Sequence, residues 1–146
     1  MSYTERFTER HCPLARINPA SYTTEQNTAR AYVGNYHRVF VLLSVGAMAA
    51  NATLDVDVEQ HTASAGGSTK NVTSHSITQL TQAGGDGNQL VGIEIQTEEL
   101  DVNNGYDYLS VEVTPAVGAV ICGCILFGII PRYAPVAATA WAEVVD

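Results

Sequence analysis

The stretch from Thr114 to Arg132 reads TPAVGAVICGCILFGIIPR, and no charged residue interrupts it between Pro115 and Pro131. It is shorter than the roughly 20 apolar residues that a membrane-spanning helix needs. Between the prolines it contains six Val or Ile residues and three glycines, which both disfavour a helix. We therefore predict one long strand, bent at a glycine, in the middle of a sheet. Both faces of this strand are apolar, so we expect a second layer of the domain to cover one face and a neighbouring chain to cover the other.

The composition limits the class of protein. With 146 residues, the chain has the size of one domain with its own core. Hydrophobic residues make up 46% and charged residues 15%, and Lys70 is the only lysine. This composition, rich in Thr, Val, Ala and Gly, is typical of an all-β protein with an uncharged polar surface. The formal net charge of −8 argues against nonspecific nucleic-acid binding, which depends on Lys and Arg.

Alternating apolar residues predict the strands that surround this run. Residues 36–45 place four apolar side chains on one face, namely Val39, Val41, Leu43 and Val45. Residues 53–60 point Leu54, Val56 and Val58 inward and Asp55, Asp57 and Glu59 outward. Residues 90–97 and 106–114 alternate in the same way, and short strands are predicted near Val72 and over 77–80. Turn-forming segments, such as 83–88 and Asn104-Gly105, separate these strands.

Seven or eight strands, with turn signals between them and no convincing helix, predict an all-β fold. The architecture we predict is an antiparallel β-sandwich of the jelly-roll kind with extended N- and C-terminal arms, and an immunoglobulin-like sandwich is the alternative. Within this one domain we predict an N-terminal arm (1–34) with a short strand at residues 14–17, a β-sandwich core (35–131) and a C-terminal arm (132–146). The arms lack clean periodicity, so neither is expected to form a core alone.

No sequence motif for catalysis is present. The chain lacks a nucleophile elbow, a zinc-protease helix motif and a glycine-rich phosphate loop followed by lysine. Its four histidines, His11, His37, His61 and His75, are scattered. His61 and His75 flank one polar loop, where we expect them to be solvated. We therefore predict no catalytic residues, no cofactor and no enzymatic activity.

The three cysteines, Cys12, Cys122 and Cys124, are predicted to be free thiols in a reducing compartment, because the N-terminus has no apolar signal-peptide segment. Together with His11 they offer ligand types that zinc prefers. The C-x-C spacing is shorter than is usual for zinc, and the pair lies in an apolar strand. Buried thiols that act as small hydrophobic residues are favoured, so no zinc site is predicted.

Oxygen-bearing side chains recur at alternate positions in Asp101, Asn103 and Asp107, as they do in calcium loops, and Glu112 falls at the twelfth position. The sixth position, which needs glycine, is Tyr106, and Glu112 lies in a predicted strand. An ordinary hairpin turn fits this segment better, so no metal is predicted there.

Four carboxylates, those of Glu94, Glu98, Glu99 and Asp101, lie close together in the sequence. Paired carboxylates that cleave sugars need a cleft, and a sugar cleft is expected to have aromatic walls. Aromatic residues make up 8% of the chain and only one is tryptophan, so we predict a solvated strand edge instead of a sugar cleft.

An acidic, lysine-poor all-β domain with two arms and a strand that is apolar on both faces has the features of an assembly component. Three segments carry a resemblance to a known family: 35–46 (NYHRVFVLLSVG), 52–60 (ATLDVDVEQ) and 77–81 (ITQLT). They resemble small structural proteins of tailed bacteriophages, which include capsid decoration (cement) proteins with a jelly-roll fold. The resemblance extends over about residues 30–133 and lies in strand patterns, not in site residues.

The resemblance implies a non-enzymatic virion protein on the capsid exterior, made in the host cytoplasm. Its implied partners are the major capsid protein and further copies of itself, usually as a homotrimer at local three-fold axes. No nucleic acid or membrane partner is expected, and no functional residue carries over. The alternatives are a tail, neck or fibre-base structural protein and a carbohydrate-binding jelly-roll module, with or without calcium.

Overall fold

A computed structural model describes residues 5–134, 136 and 140–145. Their α-helical part is the single turn α1 (Phe7–Arg10), and none of their helices is long and apolar enough to cross a membrane. Their strands are β1 (His11–Tyr22), β2 (Gln26–Asn27), β3 (Ala31–Tyr32), β4 (Tyr36–Met48), β5 (Thr53–His61), β6 (Thr69–Asn71), β7 (Leu80–Thr81), β8 (Leu90–Gln96), β9 (Tyr108–Ala116) and β10 (Val120–Pro131). Two 3-10 turns, Thr97–Glu99 and Val102–Asn104, connect β8 to β9.

Two antiparallel sheets form a sandwich. The first sheet has the strand order β1-β10-β4-β8, and the second has the order β2-β9-β5-β6, with β3 also paired to β9 and β7 to β5. Along the chain, the path passes repeatedly from one sheet to the other: β1, β4, β8 and β10 belong to the first, and the strands between them belong to the second. This alternation is the arrangement of a jelly roll. The predicted fold class, an all-β antiparallel β-sandwich of the jelly-roll kind, is confirmed.

The core lies between the two sheets and consists of the side chains that the sequence alternation points inward. From β4 and β5 it takes Val39, Val41, Leu43, Val45, Leu54, Val56 and Val58, none more than 3% exposed. From β8 and β9 it takes Ile93, Ile95, Leu109, Val111 and Val113. Burying a side chain of this size contributes about 1.5–3 kcal/mol relative to leaving it in water. The predicted facing of these four strands is confirmed.

The predicted long strand in the middle of a sheet is confirmed for residues 120–131, which form β10 between β1 and β4, but the prediction is wrong for the start of the run, which ends β9 and then turns. β9 ends at Ala116 and β10 begins at Val120, and the two strands belong to different sheets. The chain turns at Val117, whose φ is +66°, and the N–H of Gly118 donates to the carbonyl of Ala116 at 2.8 Å. The sequence pattern does not reveal this turn, because the end of β9, the turn and the start of β10 are all uncharged.

The N-terminal segment contributes more than the predicted short strand at residues 14–17. β1 runs for twelve residues and pairs with β10 from His11, opposite Ile129, to Tyr22, opposite Val120. The register shifts twice, between Pro13 and Ala15 and between Ile17 and Ala20. Each shift breaks the two-residue alternation, which explains why periodicity does not reveal this strand. Its position at the edge of the sheet tolerates the prolines.

The C-terminal segment returns towards α1. The Arg132 N–H donates to the carbonyl of Asn35 at 2.8 Å, and the Val136 N–H donates to the carbonyl of Glu9 at 3.1 Å. Of the predicted arms, residues 1–4, 135, 137–139 and 146 lie outside the described residues.

Candidate functional site

The outer face of the first sheet is largely apolar. On this face Ile125 of β10 pairs with Leu42 of β4, and Leu42 pairs in turn with Gly92 of β8. Ile121 and Leu90 lie on the same face, with 46% and 71% of their surface exposed. We refer to Leu42, Leu90, Ile121 and Ile125 as the open apolar face. Adjoining apolar side chains that remain exposed are a mark of contact surfaces.

A shallow depression of about 320 Å³ lies in the open apolar face between β1, β10 and β4. Arg16 and Pro19 of β1 line it together with Leu42 and Ile125. At Gly123 a Cβ atom would stand 3.0 Å from the Cα of Pro19, so the absence of a side chain lets β1 lie this close. The depression is therefore shaped in part by the close approach of the β1 and β10 backbones.

The two chain ends cover the opposite end of this sheet face. Phe7 of α1 contacts the ring of Phe127 edge-on, with the centroids 6.2 Å apart, and Trp141 lies 6.3 Å from both rings. The indole N–H of Trp141 is buried and has no hydrogen-bond partner among the described residues. The outer face of β10 is thus covered by its own chain at Phe127 and left open at Ile121.

Charged side chains flank the open apolar face. On β4 and β8, Arg38 Nη1 donates to Glu94 Oε1 at 2.7 Å. On β1, Arg16 is exposed and makes no ion pair within the part of the chain that the structure describes. The β1 edge of the sheet therefore carries the charge of Arg16, whereas the charge of Glu94 on β8 is balanced by Arg38.

The outer face of the second sheet is acidic. Asp55, Asp57 and Glu59 of β5 point outward, and Glu112 of β9 lies directly opposite Asp57. Burial raises the pKa of Glu112, and the nearby carboxylates, with Glu25 first, raise it further. The two outer faces of the sandwich therefore differ sharply in charge.

A buried hydrogen-bond chain links β5, β6 and β9 around His61, which is 1% exposed. His61 Nδ1 lies 2.8 Å from Thr69 Oγ1, and His61 Nε2 lies 2.7 Å from Ser110 Oγ. Arg30 Nη2 donates to Thr69 Oγ1 at 3.3 Å, and Ser110 Oγ donates to Glu59 Oε2 at 3.4 Å. One arrangement of protons satisfies all four bonds: Thr69 donates to a neutral His61, which donates to Ser110.

The expectation that His61 is solvated is therefore wrong. It ends β5, one residue past the predicted end, on the same side of the strand as Asp57 and Glu59. Alternation predicts an exposed side chain there, but β6 brings Thr69 to one side of the ring and β9 brings Ser110 to the other. Burial, followed by the charge of Arg30, holds the pKa of His61 below its usual value. This hydrogen-bond chain is the site feature that sequence reasoning missed.

The segment with calcium-loop spacing does not gather its oxygen atoms. The Asp101 carboxylate accepts hydrogen bonds from Lys70 Nζ at 2.5 Å and from the Asn104 amide at 2.8 Å. These bonds, that of Lys70 first, lower the pKa of Asp101. Glu112 lies on the outer face of β9, opposite Asp57. The described residues contain no group of three or more His, Cys, Asp or Glu side chains that could hold a metal ion.

The thiols also lie apart. Cys122 and Cys124 face the core, and burial raises the pKa of Cys122 and raises that of Cys124 to about 11. Cys12 pairs with Gly128, four residues further along β10 than Cys124. All three are buried free cysteines, as the sequence predicts.

The four neighbouring carboxylates each have different surroundings. Glu94 pairs with Arg38 and Asp101 with Lys70, whereas Glu99 Oε2 accepts from the Gln96 N–H at 2.8 Å and lies 3.4 Å from His75 Nε2. Glu98 is exposed. No two of these four carboxylates are brought together to face one cleft.

Comparisons with known proteins bear on the fold alone. No family model matches the chain, and no curated protein matches its sequence. A chain of the Cowpea mosaic virus empty virus-like particle, seen by electron cryo-microscopy, has a TM-score of 0.50 and 9% identity, covering 92% of this chain and 85% of its own length. The SPBc2 prophage-derived protein YomS has a TM-score of 0.46 and 10% identity, covering 80% and 92%. At these identities the likeness to the viral particle chain concerns the jelly-roll fold alone.

Proposed function

We propose that this chain is a virion structural protein that decorates a phage capsid and stabilises it by binding the major capsid protein. The observation that carries the proposal is the placement of exposed apolar side chains. Of the ten large apolar side chains that are exposed in the described residues, four lie between positions 130 and 145: Ile130, Tyr133, Val144 and Val145. A terminal segment that leaves such side chains in water is expected to find a partner surface.

The mechanism is repeated weak binding. Each copy contacts the assembled shell through its C-terminal segment and its exposed strand edges. Because it binds the shell and not its dissociated parts, mass action stabilises the shell, and the effect multiplies with the number of sites. A location on the capsid exterior, synthesis in the host cytoplasm and clustering as homotrimers belong to the same proposal. We expect neither nucleic acid nor membrane as a partner.

We also propose that the chain is not an enzyme. His61, Ser110 and Glu59 bring a histidine, a serine and a carboxylate together. His61 Nε2 lies 2.7 Å from Ser110 Oγ and 3.8 Å from Glu59 Oε2, so the acid does not orient the imidazole from the side opposite the serine. Ser110 is 2% exposed, which leaves no room for a substrate at its hydroxyl.

The proposal is tested by mixing the protein with expanded, undecorated heads and following cosedimentation and heat-driven genome release. We expect binding and a higher release temperature. The double variant Tyr133→Ser/Val145→Ser is expected to lose both effects, since both side chains are more than 80% exposed and leave the core unchanged. Val102→Ser is the matched control, because Val102 is exposed on a 3-10 turn. If the wild-type protein neither binds heads nor shifts release, the capsid proposal fails.

Two other experiments distinguish the alternatives. A tail, neck or fibre-base protein is located away from the shell by electron cryo-microscopy of the virion. A carbohydrate-binding module is expected to bind glycans on an array. If calcium takes part, a chelator is expected to abolish this binding. The ring of Trp141 packs against Phe7 and Phe127, which leaves it poorly placed to stack on a sugar.

A further inference from the structure

We propose that the free edge of β8 pairs with β8 of a second copy of this chain, so that the first sheets of the two copies join into one antiparallel sheet. This contact goes beyond the proposed function and does not rest on it. It uses the backbone at one sheet edge and leaves the C-terminal segment free for the shell.

The outermost strands of the two sheets differ in how well they can accept a further strand. β1 contains Pro13 and Pro19 and has two register shifts. β2 is two residues long, and β6 is three residues long and contains Lys70. Prolines, register shifts, lysines and short lengths all protect a sheet edge from pairing. The seven residues of β8 contain neither proline nor lysine, and they pair with β4 in an unbroken register from Leu90 to Gln96.

Every second residue of β8 turns its backbone groups away from β4. The Val45 N–H donates to the carbonyl of Gln89 at 2.9 Å, so the odd-numbered residues of β8 are the ones that exchange hydrogen bonds with β4. The N–H and C=O groups of Leu90, Gly92 and Glu94 therefore point outwards from the sheet edge. Within the described part of the chain β8 has β4 as its one partner strand, so no strand takes up these groups.

The outward-facing segment has a defined boundary at each end. Beyond Glu94, the N–H of Gln96 also points outwards, but it donates to Glu99 Oε2 of its own chain at 2.8 Å. Before Leu90, the backbone of Asn88 leaves the extended conformation, with a φ of +57°. The edge therefore offers a partner strand three outward-facing residues in a row.

The order of these residues makes the segment complementary to itself. When two β8 strands run antiparallel with Gly92 opposite Gly92, Leu90 of each copy lies opposite Glu94 of the other. In this register every outward-facing group of one copy meets one of the other, and a two-fold axis relates the copies. A register with Glu94 opposite Glu94 would place like charges face to face. The charge of Glu94 is balanced by Arg38 of its own chain, so the paired edge gains no unbalanced charge.

Phe40 supports the centre of the proposed contact. A Cβ atom at Gly92 would stand 2.9 Å from the ring of Phe40, so the ring lies over this glycine and reaches the sheet edge. An aromatic ring over a glycine at an edge supports strand pairing there. In the proposed register the Phe40 rings of the two copies lie on the same side of the joined sheet, next to the axis, where they shield the central hydrogen bonds from water.

Amide hydrogen exchange at low and high protein concentration tests the pairing residue by residue. The amides of Val91, Ile93 and Ile95 point towards β4, and we expect them to be protected at both concentrations. The amides of Gly92 and Glu94 are expected to exchange fast in dilute solution. At high concentration we expect their exchange to slow by about tenfold or more, while the solution mass measured by light scattering rises towards that of a dimer.

Two replacements of Leu90 separate the backbone from the side chain. Leu90→Pro removes an outward N–H at the first residue of the strand, where proline is tolerated. We expect it to raise the dissociation constant of the dimer about tenfold. Leu90→Ala also shortens the side chain but keeps the N–H, so its effect is expected to be smaller. Equal effects of the two variants would assign the contact to the side chain and overturn the inference.

Charge at the same position tests the register. Leu90→Glu places a carboxylate opposite Glu94 of the second copy at both symmetry-related positions, and it is expected to weaken the dimer. Leu90→Lys places an opposite charge there and is expected to weaken it less. Val102→Glu makes the same change as Leu90→Glu at an exposed residue outside β8, and we expect the wild-type mass. Equal masses for Leu90→Glu and Leu90→Lys would overturn the proposed register.

The exchange measurement also separates this contact from loss of folding and from capsid binding. A variant that fails to fold loses the protection of Ile93 and Ile95 as well, and the wild-type measurement then decides. If exchange at Gly92 and Glu94 does not depend on protein concentration, the inference is overturned. Protection of these two amides that appears only when undecorated heads are added would assign the edge to a strand of the shell. That result overturns the inference and leaves the proposed function intact.

Discussion

Asp57 on β5 and Glu112 on β9 lie directly opposite each other on neighbouring antiparallel strands, so two like charges face one another across the sheet. Such a pair opposes sheet formation, because the side chains of directly opposed residues are only about 4.5–5.5 Å apart at their Cβ atoms. Glu112 is also partly buried, and its pKa is raised by that burial and by Glu25, Glu59 and Asp57. The second sheet therefore carries a local repulsion that the apolar core outweighs.

Replacing Glu112 by glutamine is expected to stabilise the protein at neutral pH by about 0.2–1 kcal/mol. Because the pKa of folded Glu112 is raised above the value of 4.5, the folded state binds the proton more tightly than the unfolded chain does. The cost of the charge is complete above the raised pKa and disappears as the pH falls towards 4.5. Urea unfolding of both proteins at pH 7.5 and pH 4.5 measures this difference.

Glu98→Gln serves as the control for Glu112→Gln, because Glu98 is exposed on a 3-10 turn and its replacement removes the same charge. A gain of equal size in the control would mean that the net charge of the protein, and not the surroundings of Glu112, is responsible. A gain from Glu112→Gln that persists unchanged at low pH would contradict the buried charge of Glu112, with its neighbours Glu25, Glu59 and Asp57, as its cause.

The neutral state of His61 is expected to make stability fall in mildly acidic solution. The pKa of folded His61 is lowered, chiefly by burial, so the unfolded chain binds the proton first as the pH decreases. The stability that the neutral imidazole contributes is complete above about pH 6.5 and is lost as the pH falls towards the lowered pKa. Burial and the charge of Arg30 hold the pKa low although Glu59 lies 3.8 Å from Nε2.

We expect the free energy of unfolding to decrease by up to about 1.4 kcal/mol per pH unit within that window. His61→Gln is expected to lower stability at neutral pH, since it disturbs bonds to Thr69 and Ser110, and to remove most of the pH dependence. The exposed His37→Gln is expected to retain the wild-type pH profile. Urea unfolding from pH 7.5 to pH 5.5 provides the comparison, and an identical slope for His61→Gln would refute the role of this residue.

The fold could be predicted where strands alternate regularly and are half-buried. β5 shows this best, because its apolar residues from Leu54 to Val58 face the core and its acidic residues face water. β4 alternates as well, and its pairing partners β10 and β8 then follow from the jelly-roll order. In such strands the local sequence alone predicts which side chains face the core.

What could not be predicted depends on contacts between distant parts of the chain. The two register shifts of β1 are meaningful only once it is paired with β10, about a hundred residues away. At the turn around Val117 the chain passes from the second sheet to the first, and the apolar content of the sequence does not predict this change. His61 is satisfied by Thr69 and Ser110, and only the pairing of β5 with β6 and β9 brings these residues together. Periodicity describes one strand at a time, so it predicts neither the register shifts, nor the turn at Val117, nor the burial of His61.

Calcium is expected to leave the melting temperature unchanged. The Asp101 carboxylate is occupied by Lys70 Nζ at 2.5 Å and by the Asn104 amide, and Lys70 also lies 4.3 Å from the ring centroid of Tyr106. Thermal unfolding with calcium and with a chelator should coincide. A clear upward shift with calcium would contradict this expectation and would favour the calcium-dependent form of the carbohydrate-binding alternative.

Lys70→Met removes the charge while retaining an unbranched side chain, and we expect it to lower the melting temperature at neutral pH. The lowered pKa of Asp101 means that this pair stabilises the fold above the unfolded value of 3.8 and loses its effect as the pH falls through the folded pKa. The difference between Lys70→Met and wild type is therefore expected to shrink in acid. A difference that is independent of pH would attribute the effect to the contact with Tyr106 instead.

Leu126 and Ile125 are neighbours on β10 that face opposite sides of the first sheet, and they separate the covered face from the open one. Leu126 is fully buried in the core, so Leu126→Ala is expected to cost about 2–5 kcal/mol at any protein concentration. Ile125→Ala is expected to cost clearly less, because Ile125 is only half-buried on the outer face.

Urea unfolding of wild type and both variants at one protein concentration measures these two losses. The comparison is matched, because each variant removes an aliphatic side chain from a neighbouring position of the same strand. Equal losses in the two variants would contradict the expectation, because they would mean that Ile125 packs as closely against its own chain as Leu126 does in the core.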